Sequence, residues 1–355
     1  MTLLSRYVIR AVLGNTALVM LVLLALSGLY LFITQQDDIG VGTFSVVDAF
    51  MYVGLTLPKY AFDLLPIAAL IGALLALGNL ARTLELIVVR AAGVSTMRIA
   101  AWTAGAGLIL MVFTGVLGEW IAPPMEQYGR QLKTFAKFND YSMAGNRSAW
   151  AKDGDMIISV RQQSADNRYG GVYVFSFDAQ RRLRSVGHAR DASIDKSNLW
   201  RLGNYVQSTI GDERVALSKN ETTELQTRLS PEFLGLAVLD PESLPASGLY
   251  SYIQHLRSNG LDSRSYETAF WARIARTVAV AIIVVLAVPF AFGPMRSTGT
   301  GARTVVGIMI GVVFFRMAKM LESGGEVFNM PPLAVAWLPT ALLAIITTIA
   351  VSRVR

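Results

Sequence analysis

Long apolar runs alternate with polar segments along the chain. Six runs of about 20 residues are each long enough to cross ~30 Å of hydrocarbon as a helix. They lie at roughly 11–33, 61–81, 99–121, 274–293, 303–322 and 333–351. The first run is too long for a signal-peptide core and has no small-x-small cleavage site, so it is interpreted as a retained span. The pattern predicts three transmembrane helices, a polar insertion of about 150 residues, and three more transmembrane helices.

The insertion has the pattern of an antiparallel β domain. Valine, isoleucine and aromatic residues partly alternate with polar residues, and no helix–strand alternation indicates a parallel sheet. Strands are predicted at 156–162, 171–177, 190–194 and 199–207, with turns at 181–184 and 211–214. A sandwich or jelly-roll is the predicted arrangement. Ser247 is then the predicted N-cap of a short helix that ends at Gly260, and a second helix leads into the fourth span.

These elements divide the chain into three predicted regions. Residues 1–121 carry the first three spans, with a short helix at about 82–93 between the second and third. Residues 122–265 form the β domain with its connecting helices, and residues 266–355 carry the last three spans. The predicted fold class is an α-helical membrane protein with six transmembrane helices, arranged three plus three, and an inserted antiparallel β domain.

The positive charges of the short loops predict the orientation. Lys and Arg are enriched in the cytoplasmic loops of membrane proteins. The face that carries the N-terminus holds nine arginines, namely Arg6, Arg10, Arg82, Arg90, Arg98, Arg296, Arg303, Arg353 and Arg355. The short loops of the opposite face, 34–60 and 323–332, contribute only Lys59. Both termini are therefore predicted to be cytoplasmic, and the β domain is predicted to lie outside.

Composition supports a membrane location and narrows the chemistry. The chain of 355 residues is 53% hydrophobic and 16% charged, with a mean hydropathy of +0.45 and a net charge of +7. It has no cysteine, and its two histidines, His188 and His255, are far apart in sequence, so a metal site is not predicted. The dipeptide Gly-Lys is absent, which excludes a GxxxxGK[ST] nucleotide loop. No catalytic residues are predicted, and any ATPase that drives the chain is a separate protein.

The segment RTLELIVVRAAGVS, at 82–95, is amphipathic and is predicted to face the cytoplasm. On a helical wheel, one face that could contact the bundle or the bilayer edge holds Leu84, Ile87, Val88 and Ala91. The opposite arc holds Arg82, Glu85 and Arg90 together with Leu86 and Val89. Exposed aliphatic residues beside a glutamate favour insertion into a groove of a partner protein. The alternative is an interfacial turn in which Arg82 and Glu85 pair at i, i+3.

A second set of cations lies at the outer boundary of the predicted membrane. Its members are Lys59, Arg130, Lys133, Lys137, Arg273, Arg276, Arg316 and Lys319. Such a ring suits an anionic, phosphorylated amphiphile whose acyl chains reach deeper residues such as Leu26, Tyr30, Phe62, Phe314 and Phe315. The alternative is that these cations extend to the interface or pair with Glu119, Glu322 or Glu326.

Six segments, in order and nearly over the whole length, resemble the LptF/LptG family of lipopolysaccharide-export permeases. They are LPK at 57–59, LELIVVRAAGVS at 84–95, GEWIAPPMEQ at 118–127, WAKDG at 150–154, GLYSYIQHLRSNGLD at 248–262 and FGPMRS at 292–297. The resemblance implies a permease that extracts lipopolysaccharide from the outer leaflet of the bacterial inner membrane and passes it to a periplasmic bridge. It also implies that the β domain is a periplasmic jelly-roll.

The implied partners are a sister permease, two copies of the ATPase LptB, the single-span protein LptC and the bridge protein, with no nucleic acid. ATP and magnesium would be bound by the ATPase, so no cofactor is expected in this chain. Glu85 matches the coupling-helix glutamate, and Lys59, Arg130 and Lys133 match the basic residues that meet lipid phosphates.

The first span departs from the family pattern. Lysines of its outer part are replaced here by Leu31, Asp37 and Asp38. From charge balance alone, Arg316 and Lys319 are expected to supply the missing positive charge.

Three other classes of function share some features with this sequence. A membrane sensor or scaffold, whose β domain binds a ligand and whose cytoplasmic segment docks a partner, remains the alternative, although no cytoplasmic loop is long enough for an output domain. A lipid-modifying enzyme is disfavoured because no Ser/His/Asp set or carboxylate pair stands out. A secondary transporter is disfavoured because no inverted repeat of broken helices is evident.

Overall fold

The computed structural model describes residues 3–138, 149–163, 168–178, 180–195, 199–211, 214–227, 241–292, 300–327 and 330–353. Arg296, Arg355 and most of the FGPMRS segment lie outside these ranges, as do the centre of the 211–214 turn and the side chain of Glu326. The helices are α1 Leu3–Thr34, α2 Val46–Arg82, α3 Glu85–Ala91, α4 Thr96–Val116, α5 Ala122–Phe138, α6 Ala246–Ser258, α7 Arg264–Phe292, α8 Thr300–Val327 and α9 Pro332–Ser352. A π-helical turn, Leu117–Ile121, joins α4 to α5, and two 3-10 turns lie at Gln36–Asp38 and Pro241–Ser243.

Five helical segments of the described residues are long and apolar enough to cross a membrane. They are Leu3–Asp38, Val46–Arg82, Thr96–Thr134, Arg264–Phe292 and Pro332–Ser352. Six spans were predicted. The predicted span at 303–322 lies within α8, which is 28 residues long and packs against α2 but is not among the five. Helix α8 carries Arg316, Lys319 and Glu322 in its second half.

Helix α2 is the central element of the bundle and packs against α1, α5, α7 and α8. Its start is fixed by a capping box, in which the Asp48 amide donates to Ser45 Oγ and the Ser45 amide donates to Asp48 Oδ2. Small residues allow neighbouring helices to approach closely. A Cβ added to Gly72 would lie 2.5 Å from the Thr16 backbone of α1, so only glycine fits there.

The inserted domain contains a six-stranded antiparallel sheet with the strands in sequential order. The strands are β1 Ala149–Asp153, β2 Met156–Gln163, β3 Arg168–Phe177, β4 Leu183–Ile194, β5 Leu199–Ile210 and β6 Val215–Gln226. One face buries a core that includes Ile158, Val172, Val174, Trp200 and Leu202. The antiparallel prediction is confirmed. Among the described strands, however, the order is that of a meander and not the Greek-key order of a jelly-roll.

Two strands were not predicted, for different reasons. Strand β1 is only five residues long, and β6 is an exposed edge strand whose sequence, VALSKNETTELQ, is mostly polar. The hairpin before β4 turns at Asp178–Arg182, with Arg181 at φ 61°, so the predicted turn at 181–184 was placed slightly late. The β5–β6 hairpin closes through the Gly211 amide, which donates to the Arg214 carbonyl, at the predicted position.

Helix α6 connects the β domain to the spans. It begins after Pro245 and not at Ser247. Its N-terminus is capped by Glu119 of the π-helical turn, whose carboxylate accepts from the Ala246 and Ser247 amides at 2.7 and 3.0 Å. The helix ends as predicted near Gly260, which adopts φ +64°. The third span and the β domain are therefore joined by a charge-assisted contact as well as by the chain.

Candidate functional site

An open cavity of about 410 Å³ lies between the spans and the segment that returns from the β domain. Five of the predicted substrate-binding cations line it, from α2, α5, α7 and α8: Lys59, Arg130, Arg273, Arg276 and Lys319. Two carboxylates, Asp63 and Glu322, are also in the lining. The cavity wall is therefore rich in positive charge, which suits an anionic ligand.

Glu126 of α5 holds the first cation pair. Its Oε1 accepts from Lys59 Nζ at 2.7 Å and from Arg130 Nη2 at 2.5 Å. The Ser243 hydroxyl lies 2.9 Å from the same arginine nitrogen and 3.4 Å from the lysine nitrogen. Because Glu126 is only 5% exposed, it orients both cations from behind the cavity wall. Glu126 was not predicted as part of the site, although its i, i+4 spacing to Arg130 indicates such a pair.

The second cation pair surrounds Glu322 on the opposite wall. Arg276 Nη2 lies 2.5 and 2.7 Å from the two carboxylate oxygens, and Lys319 Nζ lies 3.9 Å away. The alternative interpretation, in which boundary cations pair with a carboxylate, therefore holds for Arg276 and Lys319 at Glu322. Arg273 donates to the Gly118 carbonyl of the π-helical turn and stacks over the Phe62 ring at 4.9 Å.

Three predicted members of the cation set, Lys133, Lys137 and Arg316, are not in the cavity lining. Lys133 binds Asp38 at 2.7 Å and Gln35 Oε1 at 2.5 Å, beside Lys137, which binds the same aspartate. Arg316 is exposed on α8 and does not contribute to the wall, whereas Lys319 does. Asp38, in the 3-10 turn that follows α1, thus holds both Lys133 and Lys137.

Apolar residues lie below the cations. Phe62, Phe314 and Phe315, proposed from sequence to contact acyl chains, line a smaller pocket beside Asp63 and Arg276. Leu26 and Tyr30 are instead exposed on α1 and are not in the lining of either cavity. The arrangement places charge at the mouth and aromatic rings beneath it.

Helix α3 is the second candidate site, and its orientation reverses the prediction. Leu86 is 2% exposed and Val89 packs against the bundle, whereas Leu84, Ile87 and Val88 are exposed. The predicted wheel began at residue 82, but Leu84 adopts φ 63° and separates α3 from α2. An unpartnered apolar surface therefore remains, formed by Leu84, Ile87 and Val88.

Glu85 lies at the first turn of α3. Its carboxylate accepts from the Tyr7 hydroxyl at 2.7 Å and from the Thr83 hydroxyl at 2.8 Å. The Tyr7 hydrogen bond, reinforced by that from Thr83, lowers the pKa of Glu85. Arg82 is exposed at the end of α2, and the Arg90 guanidinium lies 5.6 Å from the centre of the Phe292 ring. The helix thus presents a charged carboxylate beside exposed aliphatic residues.

The two sites lie at different levels of α2, because Lys59 is inside the helix and Arg82 is its last residue. Lys59 and Arg82 are roughly 35 Å apart along its axis at 1.5 Å per residue, about the thickness of a bilayer core. A bundle of apolar helices, a cation-lined cavity beside an inserted β domain, and an amphipathic helix at the far end define a membrane protein of the permease class.

Comparison with known proteins places the chain within that class. Residues 6–353 match the family model of the lipopolysaccharide export system permeases LptF/LptG. The lipopolysaccharide export system permease protein LptG of Haemophilus influenzae is 35% identical over 353 residues, which cover 99% of each chain. LptG of Escherichia coli K12 is 33% identical over 346 residues, which cover 97% of this chain and 96% of the relative. The chain therefore belongs to the LptF/LptG family of lipopolysaccharide export system permeases, and the resemblance found in the sequence is confirmed.

Proposed function

We propose that the chain is the permease subunit of an ATP-driven exporter that extracts lipopolysaccharide from the outer leaflet of the inner membrane. The observation that carries this proposal is the cavity in which five cations stand above aromatic rings. Lipopolysaccharide carries phosphate groups in the headgroup from which its acyl chains extend, so the phosphates match the cations and the acyl chains match the aromatic rings. Guanidinium and ammonium groups bind phosphate through charge-assisted hydrogen bonds.

The chain itself supplies the path and not the energy. Removing acyl chains from a bilayer costs ~0.8 kcal/mol per methylene, which makes spontaneous release of a multi-chain lipid negligible. ATP and magnesium are bound in this proposal by two copies of the ATPase LptB. Glu85 and the exposed surface of α3 insert into a groove of the ATPase, with Arg82 and Arg90 beside it.

The remaining assembly follows the family. The sister permease LptF pairs with this chain, LptC contributes a single span, and a periplasmic bridge protein receives the lipid from the β domain. Both termini are cytoplasmic and the β domain is periplasmic. Closure of the ATPase moves α3, and α2 transmits the movement to the cavity, which narrows and expels the lipid upward.

Native mass spectrometry of the protein, gently extracted from its own membrane, tests the assembly. The expected mass contains a second permease, two ATPase copies and a bound multi-acyl phosphorylated lipid. A lone or self-paired chain without ATPase and lipid would contradict the proposal and favour a sensor or scaffold.

The docking role of Glu85 is tested by Glu85→Ala. Loss of the carboxylate should abolish ATPase co-purification while the chain still folds. Tyr7→Phe is the matched control, because it removes a hydrogen bond to Glu85 but leaves the carboxylate, and it should retain the ATPase. Unchanged ATPase yield in Glu85→Ala would remove α3 as the docking element.

A further inference from the structure

The two cation pairs of the cavity are held by carboxylates in different positions. Glu126 stands behind the wall and is not part of the cavity lining. Glu322 is part of the lining, between Arg276 and Lys319. An anionic ligand that enters the cavity therefore meets Glu322 directly and meets only the cations held by Glu126.

Glu322 occupies hydrogen-bond donors that a phosphate would use. Both of its oxygens lie within 2.7 Å of one Arg276 nitrogen, and the Lys319 ammonium is 3.9 Å away on the same side. The side chains of Glu322 and Arg276 are 13% and 23% exposed, so the pair is shielded but can be reached from the cavity. A carboxylate and a phosphate oxygen compete for the same donors.

We propose that Glu322 is an internal competitor for the substrate phosphate, and that it shortens the time for which the phosphate stays bound. Before the substrate arrives, Glu322 holds Arg276 and Lys319 in position and neutralises part of their charge. When a phosphate takes these donors, Glu322 is left beside a second anion. Its repulsion and its demand for the same donors favour release. This inference rests on the proposed function and names Glu322 as a positioning residue of the same site.

The reason lies in what a transporter requires of its site. Binding must be favourable enough for the ligand to enter and weak enough for it to leave. A wall of cations without a competing anion would hold a phosphorylated lipid too tightly to pass it on. A carboxylate within the wall avoids this, because it can reclaim the donors when the cavity narrows.

The proposal predicts that loss of the carboxylate strengthens binding. In Glu322→Gln, the side chain keeps its shape and one acceptor oxygen for Arg276, but the negative charge is removed. The probe is bis-phosphorylated lipid A, added to the purified permease complex in detergent, with fully dephosphorylated lipid A as its counterpart. Dissociation constants and dissociation rates are measured for both lipids.

Glu322→Gln should bind bis-phosphorylated lipid A about tenfold more tightly, equivalent to ~1.4 kcal/mol, mainly through slower dissociation. Binding of dephosphorylated lipid A should not change. Glu322→Asp should stay close to the unmodified protein. Glu224→Gln should also bind both lipids like the unmodified protein, because it removes the same charge from an exposed pair on the β sheet, where Glu224 lies 3.6 Å from Arg201. If Glu322→Gln unfolds at a lower temperature than Glu224→Gln, lipid A binding is measured instead with Glu322→Met, which removes the charge and also the hydrogen-bonding group.

A purely structural role for Glu322 predicts the opposite sign. Arg276 would then lose its orientation in Glu322→Gln, and lipid A would bind more weakly. Weaker or unchanged binding, or equal tightening for both lipids, would overturn the inference while leaving the proposed function intact. Failure of the unmodified complex to bind either lipid would overturn the proposed function itself.

Discussion

The shared carboxylate of Glu126 provides the sharpest test of how the cavity is built. Glu126→Gln preserves the shape of the side chain but leaves Lys59 and Arg130 without the anion that holds both. A hydrogen bond to a charged group contributes about 1.5–3 kcal/mol to stability. The two cations are 29% and 39% exposed, so solvent screening reduces the second contribution in particular. We expect the substitution to lower the free energy of unfolding by about 2–3 kcal/mol.

The assay is thermal unfolding in detergent micelles, followed by tryptophan fluorescence at one fixed heating rate because membrane proteins commonly unfold irreversibly. At about 2 °C per kcal/mol for a large chain, the unfolding temperature should fall by about 4–6 °C. Glu224→Gln, which breaks an exposed pair, should lower it by less than about 1 °C. An unfolding temperature for Glu126→Gln equal to that of Glu224→Gln would refute the view that this carboxylate organises the cavity wall.

Two further predictions concern α3 and the junction between α6 and the β domain. Leu86→Ala should lower the free energy of unfolding by about 2–4 kcal/mol, because the side chain is 2% exposed. It should also weaken ATPase association, because α3 loses the side chain that packs it against the bundle. Val88→Ala, at a position 66% exposed, should weaken ATPase association without changing the unfolding temperature, and equal behaviour of the two variants would contradict the assigned faces. Burial lowers the pKa of His255, whose Nε2 lies 3.2 Å from the Lys152 carbonyl of β1. The unfolded chain therefore binds a proton at His255 more readily than the folded chain does. The free energy of unfolding should be unaffected by this residue above pH 6.5 and should fall as the pH drops from there through the lower pKa of the folded state. Unfolding temperatures between pH 7.5 and 5 should show this loss in the unmodified protein and a flatter profile in His255→Gln; parallel profiles would exclude the residue as the cause.

Five of the six predicted spans and five of the eight predicted cations agree with the described residues, because hydropathy and charge are local properties of sequence. The orientation of α3 was not predictable in this way. Periodicity shows which residues share a face, but here both faces carry aliphatic residues, and the left-handed backbone at Leu84 resets the phase of the helix. Burial of Leu86 follows from the packing of α3 on the bundle, which sequence spacing cannot supply.

The carboxylates of the cavity show a similar limit. Glu322 was named from the sequence as one of three carboxylates with which the boundary cations could pair, whereas Glu126 meets Lys59 across 67 residues of sequence. The same holds for Asp38, which binds Lys133 from another element. Charge balance suggested that Arg316 and Lys319 act together, but only the tertiary packing places Lys319 in the wall and leaves Arg316 outside it.

The π-helical turn at Leu117–Ile121 sets the rotational phase of everything that follows it on the third span. An α-helix advances about 100° per residue, and a π turn accommodates one residue more than an α turn. If these residues formed a regular α-helix with none deleted, α5 would rotate by about 100° relative to α4. Glu126 and Arg130 would then lose their places at the cavity wall, although neither would have been altered. A one-residue deletion inside the turn should therefore leave these two residues in place, whereas the same deletion elsewhere between α4 and Glu126 should not.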